Sequence, residues 1–138
     1  MESDPSRDIS PTVIEHARRP RNNGVLSNFN GHACITGVCG DIMEFWLLVE
    51  DDIIKRVRFI SDGCGFSDAC GSMAACLAEG KSIADAAVIG QQDILSALGG
   101  LPQEVEHCAL LAANTLKAAC DDYVRGKTQR PDEAQLSL

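Results

Sequence analysis

The feature that most constrains the fold of this chain is a cysteine held between two glycines, Gly63-Cys64-Gly65. Residues 53–60, which precede it, have the β-branched and aromatic composition of a strand, and residues 67–79, which follow it, carry apolar side chains at helical steps. Glycines permit backbone angles that other residues resist, and N–H groups in such a turn can favour a thiolate. The sequence therefore predicts a thiol fixed between a strand and a helix. A tight turn with a small residue explains the same pattern, so function depends on what else joins Cys64.

The remaining elements are predicted to form a small antiparallel sheet followed by helices. Asp51-Asp52 separates two strand-like runs and predicts a hairpin, and Gly80 is expected to end the helix that follows the cysteine turn. The predicted strands cover residues 33–37, 42–49 and 53–60, and the predicted helices cover residues 11–19, 67–79, 83–89, 91–98 and 101–125. This order predicts an α+β fold in which a three-stranded antiparallel sheet packs against about five helices.

Length and composition exclude several classes of protein. The chain has 138 residues, 45% of them hydrophobic, so we expect one domain with a true core over residues 11–126, between a flexible lead over residues 1–10 and a polar tail over residues 127–138. The formal net charge of −8 argues against a nucleic-acid partner, which would need a basic face. No apolar run approaches a membrane span, and the polar, acidic start lacks a secretory signal. We therefore expect a cytoplasmic protein with no membrane partner.

Three of the seven cysteines are candidate ligands: two lie at the ends of predicted elements and the third lies in the last predicted helix. Cys39 precedes a strand and is followed by Asp41, Cys64 occupies the glycine turn, and Cys108 is preceded by His107. No CxxC pair exists, so a local zinc ribbon is not indicated and the fold must bring these residues together. Thiolate, imidazole and carboxylate groups together suit zinc or an iron–sulfur cluster. Three thiolates with one weaker ligand would hold such a cluster less tightly than four cysteines.

The other cysteines have simpler interpretations. Cys76 and Cys120 stand among apolar neighbours at helical spacing and are predicted to be core residues. Cys34 fits either the core or the rim of the site. Cys70 lies near the first turn of a predicted helix and is a possible additional thiol near the site.

One basic cluster interrupts this acidic sequence. We call Arg18, Arg19 and Arg21 the arginine cluster; they lie at and just beyond the end of the first predicted helix. A solvated helix end and a docking patch for a partner explain the cluster equally well. The nearby His16, like His32, has the context of a surface or capping residue rather than a metal ligand.

Four segments of the chain, taken together, resemble the IscU/NifU family of iron–sulfur cluster assembly scaffolds. They are His-Ala-Arg-Arg-Pro-Arg-Asn-Asn-Gly at residues 16–24, Cys-Gly-Asp-Ile-Met at 39–43, Gly-Cys-Gly at 63–65 and His-Cys at 107–108. Their order and spacing match the family over about residues 10–125. The resemblance implies the SufE/NifU-type fold and a scaffold or carrier rather than an enzyme.

The resemblance also implies roles for individual residues. Cys39, Cys64 and Cys108 correspond to the three scaffold cysteines, Asp41 to the aspartate that keeps the cluster transferable, and His107 to a histidine that can bind metal, including zinc in the cluster-free form. The cargo would be a transient [2Fe-2S] cluster. The implied partners are a cysteine desulfurase, a source of iron and electrons, and apo iron–sulfur acceptor proteins, with the arginine cluster near the desulfurase.

The sequence also departs from the IscU pattern. In the IscU branch, Leu-Pro-Pro-Val-Lys is the motif that a dedicated Hsp70 chaperone binds. Leu-Pro-Gln-Glu-Val-Glu stands in its place at residues 101–106, so the resemblance does not extend to that partner. Cys70 stands where the IscU branch has a serine, and the NifU-like branch is the closer match. A zinc-dependent sulfurtransferase of the SufU type is the alternative function, but its extra loop of roughly twenty residues between the second and third cysteines is absent here. A purely structural zinc site fits less well because the candidate ligands lie on turns.

Overall fold

A computed structural model of the protein describes residues 9–129, with side chains described as far as residue 127. Residues 1–8 of the expected lead and residues 130–138 of the expected tail lie outside this range. In chain order the elements are α1 (Pro11–Arg18), β1 (Gly31–Thr36), β2 (Ile42–Glu50), β3 (Ile53–Ser61), α2 (Gly65–Ala78), α3 (Ile83–Ala87), α4 (Gln91–Leu98), a 3₁₀ turn (Gln103–Val105) and α5 (His107–Gln129). The expected α+β arrangement of three strands and five helices is confirmed.

The three strands form an antiparallel sheet in the order β1-β2-β3. Leu48 pairs with Arg56 and Val49 with Ile54, so the pairing skips Lys55. Such a bulge shifts the side chains beyond it to the other face of the strand. It explains why the alternation along β3 is imperfect in sequence, because Ile54 faces the core out of phase with the inward residues that follow the bulge.

The hairpin between β2 and β3 turns at Asp51 and Asp52, as predicted. Both residues have positive φ, 55° and 61°, as a tight turn between twisted strands requires. Aspartate tolerates this region better than most residues do. The turn is also tied to the C-terminal helix, because Lys127 Nζ lies 2.9 Å from Asp52 Oδ1 and the Tyr123 hydroxyl donates to the same oxygen.

The core lies between the sheet and the helices. Helix α2 packs along β3, whereas α5 packs along β1 and β2. Met43, Phe45 and Phe59 are fully buried on the covered face of the sheet. Helix α2 approaches so closely that a Cβ at Gly71 would stand 2.4 Å from the Phe59 ring. Within residues 9–129 no helix is long and apolar enough to span a membrane.

Several helix boundaries differ from the sequence prediction. Helix α5 begins at His107, not at Leu101, because Pro102 has an extended ψ of 141° and a short 3₁₀ turn intervenes. At its other end the helix continues through Gly126 to Gln129, past the predicted end near residue 125. One glycine costs a helix only about 1 kcal/mol, and the Lys127–Asp52 ion pair holds the following turn. Helix α2 begins at Gly65 with Cys64 as its N-cap residue, earlier than the predicted start at residue 67.

Candidate metal centre

The candidate ligands lie where three segments of the chain meet. Cys39 and Asp41 belong to the loop between β1 and β2, Cys64 precedes α2, and His107 and Cys108 begin α5. The first two segments are joined by Asp62, whose carboxylate accepts from the Ile42 N–H at 2.7 Å and whose own N–H donates to the Ile42 carbonyl at 3.1 Å. Residues that are far apart in sequence therefore share one edge of the molecule.

The loop that carries Cys39 and Asp41 is a tight turn closed by backbone hydrogen bonds. The Gly37 N–H donates to the Asp41 carbonyl at 2.7 Å, and the Gly40 N–H donates to the Gly37 carbonyl at 3.0 Å. Gly40 has a φ of +86°, which favours glycine. This geometry places Cys39 at the exposed tip of the loop and Asp41, half-buried, at its base.

Cys64 occupies the predicted turn between strand and helix. Its side chain is exposed, and the Gly63 N–H is held by the Ser61 hydroxyl at 3.1 Å. As the N-cap residue of α2, Cys64 stands beside the unpaired N–H groups of the first helical turn, and its side chain forms no capping hydrogen bond.

His107 lies between two of the thiols. Its Nε2 is 3.0 Å from Cys39 Sγ and 3.9 Å from Cys108 Sγ. Cys108 differs from the other two candidate cysteines because it is only 1% exposed. Burial raises the pKa of the Cys108 thiol, and the charges of Cys64 and Asp41 act in the same direction, while a hydrogen bond from Ser67 opposes them.

Sequence reasoning missed Ser67, which stands at the centre of the site. Its side chain is fully buried, and its hydroxyl lies 3.1 Å from Asp41 Oδ2 and 3.5 Å from Cys108 Sγ. Ser67 follows Cys64 by three residues, so the two lie on neighbouring positions of the first helical turn. A small polar residue on the buried face of a helix that starts at a candidate ligand is the sequence signal that could have revealed it.

The candidate ligands are linked by contacts but do not already form a closed metal cage. Among residues 9–129, no three His, Cys, Asp or Glu side chains are grouped closely enough to hold one metal ion. The contacts run from Cys39 to His107, on to Cys108, and through Ser67 to Asp41. Three sulfurs, an imidazole and a carboxylate fit zinc or iron chemically. Because Cys39 and Cys64 are exposed, their side chains can turn towards a bound cargo without repacking the core.

The remaining cysteines separate into buried and exposed thiols. Cys120 is fully buried, as predicted, and burial raises its pKa to about 12. Cys70 is also fully buried; burial, followed by the charges of Cys108 and Cys64, raises its pKa far above the usual range. Cys70 thus lies near the candidate ligands but is sealed from solvent.

The prediction that Cys76 belongs to the core is wrong. Ala75 and Ala78 in the same turn of α2 are fully buried, so the helix is still covered there and Cys76 lies on its solvent-facing side. Cys34 is exposed as well, on β1 opposite Glu44. The slight burial of the Cys34 sulfur, together with the Glu44 charge, raises the pKa of this thiol.

The arginine cluster lies at the C-terminal end of α1, which packs against the start of α2 beside Cys64. A Cβ at Gly65 would lie 3.6 Å from the Ala17 Cβ, so α1 packs against the start of α2. Arg18 and Arg19 are exposed, and Arg21 pairs with Glu15 at 3.1 Å. The arginine cluster therefore places basic groups on the side of α2 where α1 packs beside Cys64.

Comparison with known proteins gives consistent matches over most of the chain. The sequence matches the family described as NifU-like N terminal domain over residues 8–130. The protein named iron-sulfur cluster assembly scaffold protein IscU 1 of Archaeoglobus fulgidus is 38% identical over 130 residues, covering 92% of this chain and 85% of that protein. The protein named iron-sulfur cluster assembly scaffold protein IscU of Aquifex aeolicus is 40% identical over 132 residues, covering 94% and 83%.

A solved structure shares the fold. The crystal structure of a nitrogen-fixing NifU-like protein (N-terminal) from Brucella abortus superimposes with a TM-score of 0.70 and covers 88% of this chain and 99% of its own. Its sequence identity is 17%, so this likeness concerns the arrangement of strands and helices alone.

Proposed function

This chain belongs to the family of NifU-like N-terminal domains, and we propose that it is a scaffold on which an iron–sulfur cluster is assembled and then passed to apo-proteins. The observation that supports the proposal is that Cys39 and Cys108 both contact His107, while Cys108 also contacts Ser67 in the first turn of the helix that Cys64 caps. The cluster is cargo that is passed on intact, so we propose that the chain acts as a carrier rather than as an enzyme.

We assign the iron ligands to the three thiols and one weaker group. Thiolates suit iron–sulfur cargo, whereas a carboxylate oxygen is a harder and weaker partner for it. Asp41 and His107 both lie beside the thiols and compete for the remaining coordination position. With Asp41 in that position, the [2Fe-2S] cargo is held less tightly than by four cysteines, which suits a cluster that must leave. With His107 in that position, the cluster-free site suits zinc.

Sulfur is proposed to arrive as the outer sulfur of a persulfide on a cysteine desulfurase. The thiolate of an exposed cysteine, Cys39 or Cys64, attacks that sulfur; a new S–S bond forms, the S–S bond of the donor breaks, and the donor cysteine leaves as a thiolate. Cys108 is a poor acceptor because it is buried. The transferred sulfur becomes sulfide only when an external donor supplies two electrons, so an electron source is a further partner, together with a source of iron.

Docking of the desulfurase is assigned to the side of the molecule that carries the arginine cluster. Exposed Arg18 and Arg19 can attract an acidic surface of the partner, and α1 leads from them to the Cys64 turn. A dedicated Hsp70 chaperone is not among the proposed partners, because residues 101–106 lack the motif that it would grip. All seven cysteines, which lie within residues 9–129, are free, in keeping with a reducing compartment such as the cytoplasm.

Anaerobic reconstitution with iron, cysteine and a cysteine desulfurase tests this function. We expect sulfide-to-iron charge-transfer absorption, with acid-labile sulfide equal to iron, and loss of both in Cys39→Ser, Cys64→Ser and Cys108→Ser. Cys76→Ser is the matched control, because Cys76 is exposed but distant from the proposed ligands in sequence and fold. Tight zinc that iron does not displace, with a persulfide on one cysteine, would instead identify a zinc-dependent sulfurtransferase and contradict the scaffold.

A further inference from the structure

A buried serine joins two of the proposed ligands that lie on different elements. Ser67 is fully buried, and its hydroxyl lies 3.1 Å from Asp41 Oδ2 and 3.5 Å from Cys108 Sγ. A buried hydroxyl without a hydrogen-bond partner destabilises the fold, so these contacts fix its orientation. Ser67 therefore connects the loop between β1 and β2 to the start of α5.

Gly63 leaves room for the hydrogen bond between Ser67 and Asp41. A Cβ added at Gly63 would stand 2.4 Å from Ser67 Oγ and 2.7 Å from Asp41 Oδ2. The two oxygen atoms that form the hydrogen bond thus occupy the volume that a side chain at Gly63 would need. Gly63 is required here for close approach, independently of any need for an unusual φ.

The direction of the hydrogen bonds follows from the single proton of the hydroxyl. Ser67 can donate that proton to only one acceptor at a time, and the charged carboxylate oxygen of Asp41 attracts it more strongly than the Cys108 sulfur does. Asp41 is half-buried at the base of a loop, so its carboxylate has solvent as the alternative to this contact. The serine hydroxyl holds the carboxylate turned inward, on the side where the thiols lie.

We propose that Ser67 is a positioning residue that holds Asp41 against the thiols and so decides how readily Asp41, rather than His107, completes the metal site. The proposal rests on the proposed function for its biological meaning. Without the hydroxyl, Asp41 turns to solvent more often and His107, 3.0 Å from Cys39 Sγ, takes its place. A site completed by imidazole releases metal more slowly than one completed by carboxylate.

Cobalt(II) alone is the probe that tests this role without a desulfurase or an acceptor. Its d–d absorption distinguishes an oxygen ligand from a nitrogen ligand, and its loss after mixing with a chelator gives the release rate. We would measure wild type, Ser67→Ala, Asp41→Ala and the double variant, with Ser72→Ala as control. Ser72 is an equally buried serine of α2, bonded to His16 and the Arg21 N–H instead.

Ser67→Ala is expected to slow cobalt release about threefold, at the low end of coupling between residues in contact. Its d–d bands should shift towards those of Asp41→Ala. In the Asp41→Ala background the Ser67 substitution should change nothing further, and in the metal-free protein the stability losses of the two single variants should not add. Ser72→Ala should release cobalt at the wild-type rate.

An effect of Ser67→Ala that persists undiminished in the Asp41→Ala background would overturn the positioning role, because a merely structural change would act in both backgrounds. Wild-type spectra and rates in Ser67→Ala, or no cobalt binding by the wild-type protein, would overturn it too. These outcomes are distinct from failure of the scaffold proposal. In that case no cluster would form on reconstitution, but the Ser67 and Asp41 substitutions would still have non-additive effects on cobalt release.

Discussion

Cysteines occur in two regions of this molecule: on the buried faces of helices α2 and α5, and on the turns that precede β2 and α2, which we call the loop ends. The two regions give the thiol opposite properties. Cys70 and Cys120 are fully buried, and burial raises the pKa of each. Cys39 and Cys64 are exposed on glycine-containing turns at the ends of regular elements. The comparison teaches that the position of a cysteine in the fold, rather than the residue type, determines whether it packs as a small apolar side chain or is available for chemistry.

Cys108 lies between these two extremes. It is as buried as the core cysteines, yet it contacts His107 and Ser67. As proposed ligands, one thiol anchored in the core and two thiols on exposed turns would give a site with one fixed and two adjustable sulfurs. The predictions below test this division between core and loop ends.

Alkylation is expected to separate the two regions most strongly. In the native protein, iodoacetamide should label Cys39 and Cys64 at least about a hundredfold faster than Cys70 and Cys120, since reaching a buried thiol requires a local opening that costs about 3 kcal/mol or more. Peptide mass spectrometry over time measures each rate. Exposed Cys76, whose pKa is raised by the partial burial of its sulfur, should still react faster than Cys70 and Cys120, and all should become similar in guanidinium chloride. Rapid native labelling of Cys70 would break the comparison.

Gly71→Ala should damage the core without altering the loop ends. Its Cβ would stand 2.4 Å from the Phe59 ring, so we expect a loss of about 1–3 kcal/mol in the free energy of unfolding. Urea unfolding measures the loss, and cobalt binding per folded molecule should be unchanged. Gly65→Ala is the matched control in the same helix, because its Cβ would make only ordinary contact with Ala17 at 3.6 Å. Equal stability of the two variants would contradict the close packing of α2 on β3.

Asp41→Ala should change the loop ends without altering the core. With the weaker oxygen ligand removed, His107 completes the site, and cluster release to a chelator should slow about fivefold, which corresponds to about 1 kcal/mol in the barrier. The decay of the charge-transfer absorption measures release, and urea unfolding of the cluster-free protein checks the core. Identical release rates in the variant and the wild type would remove the role assigned to Asp41.

The smallest expected effect concerns a buried polar contact outside the site. His16 Nδ1 lies 2.6 Å from the Ser72 hydroxyl, which accepts from the Arg21 N–H and donates to the imidazole. Burial, aided by the Arg21 charge and opposed by Glu15, lowers the pKa of His16 below its usual 6.5. The folded protein then binds fewer protons than the unfolded chain below pH 6.5, so this contribution to stability is complete above that pH and is lost as the pH falls through the folded pKa.

Urea unfolding between pH 5 and 8 measures this effect. The wild type should lose more stability on acidification than His16→Gln, and Ser72→Ala should reduce the difference because it removes the partner of the neutral ring. An unchanged pH profile in His16→Gln would show that the imidazole is not held neutral by the fold.

Much of the fold could be predicted because local signals agreed with the tertiary structure. The Asp51-Asp52 turn and the glycine turn at Cys64 were both placed correctly. The start of α5 was not, because Leu101 and Pro102 resemble a helix start, whereas Leu101 is buried and the chain continues through a separate turn. Cys76 was misplaced because apolar neighbours along α2 do not reveal which side of the helix faces solvent.

The candidate ligands could be found by resemblance, but their contacts could not. Spacing alone does not say that Cys108 is buried while Cys39 and Cys64 are exposed. Ser67 escaped notice because its partners, Asp41 and Cys108, are 26 and 41 residues away in the chain. Such contacts depend on how α2 is packed against two other segments, which periodicity does not describe.

Cluster transfer tests the central claim most directly, namely that thiols at the loop ends hold a cluster loosely enough to release it. The reconstituted protein would be mixed anaerobically with an apo-ferredoxin of the [2Fe-2S] type, and visible circular dichroism would follow both proteins. We predict that the acceptor signal grows as the scaffold signal falls, at the same rate and with iron conserved. A cluster that remains on this protein while the acceptor stays empty would contradict the account.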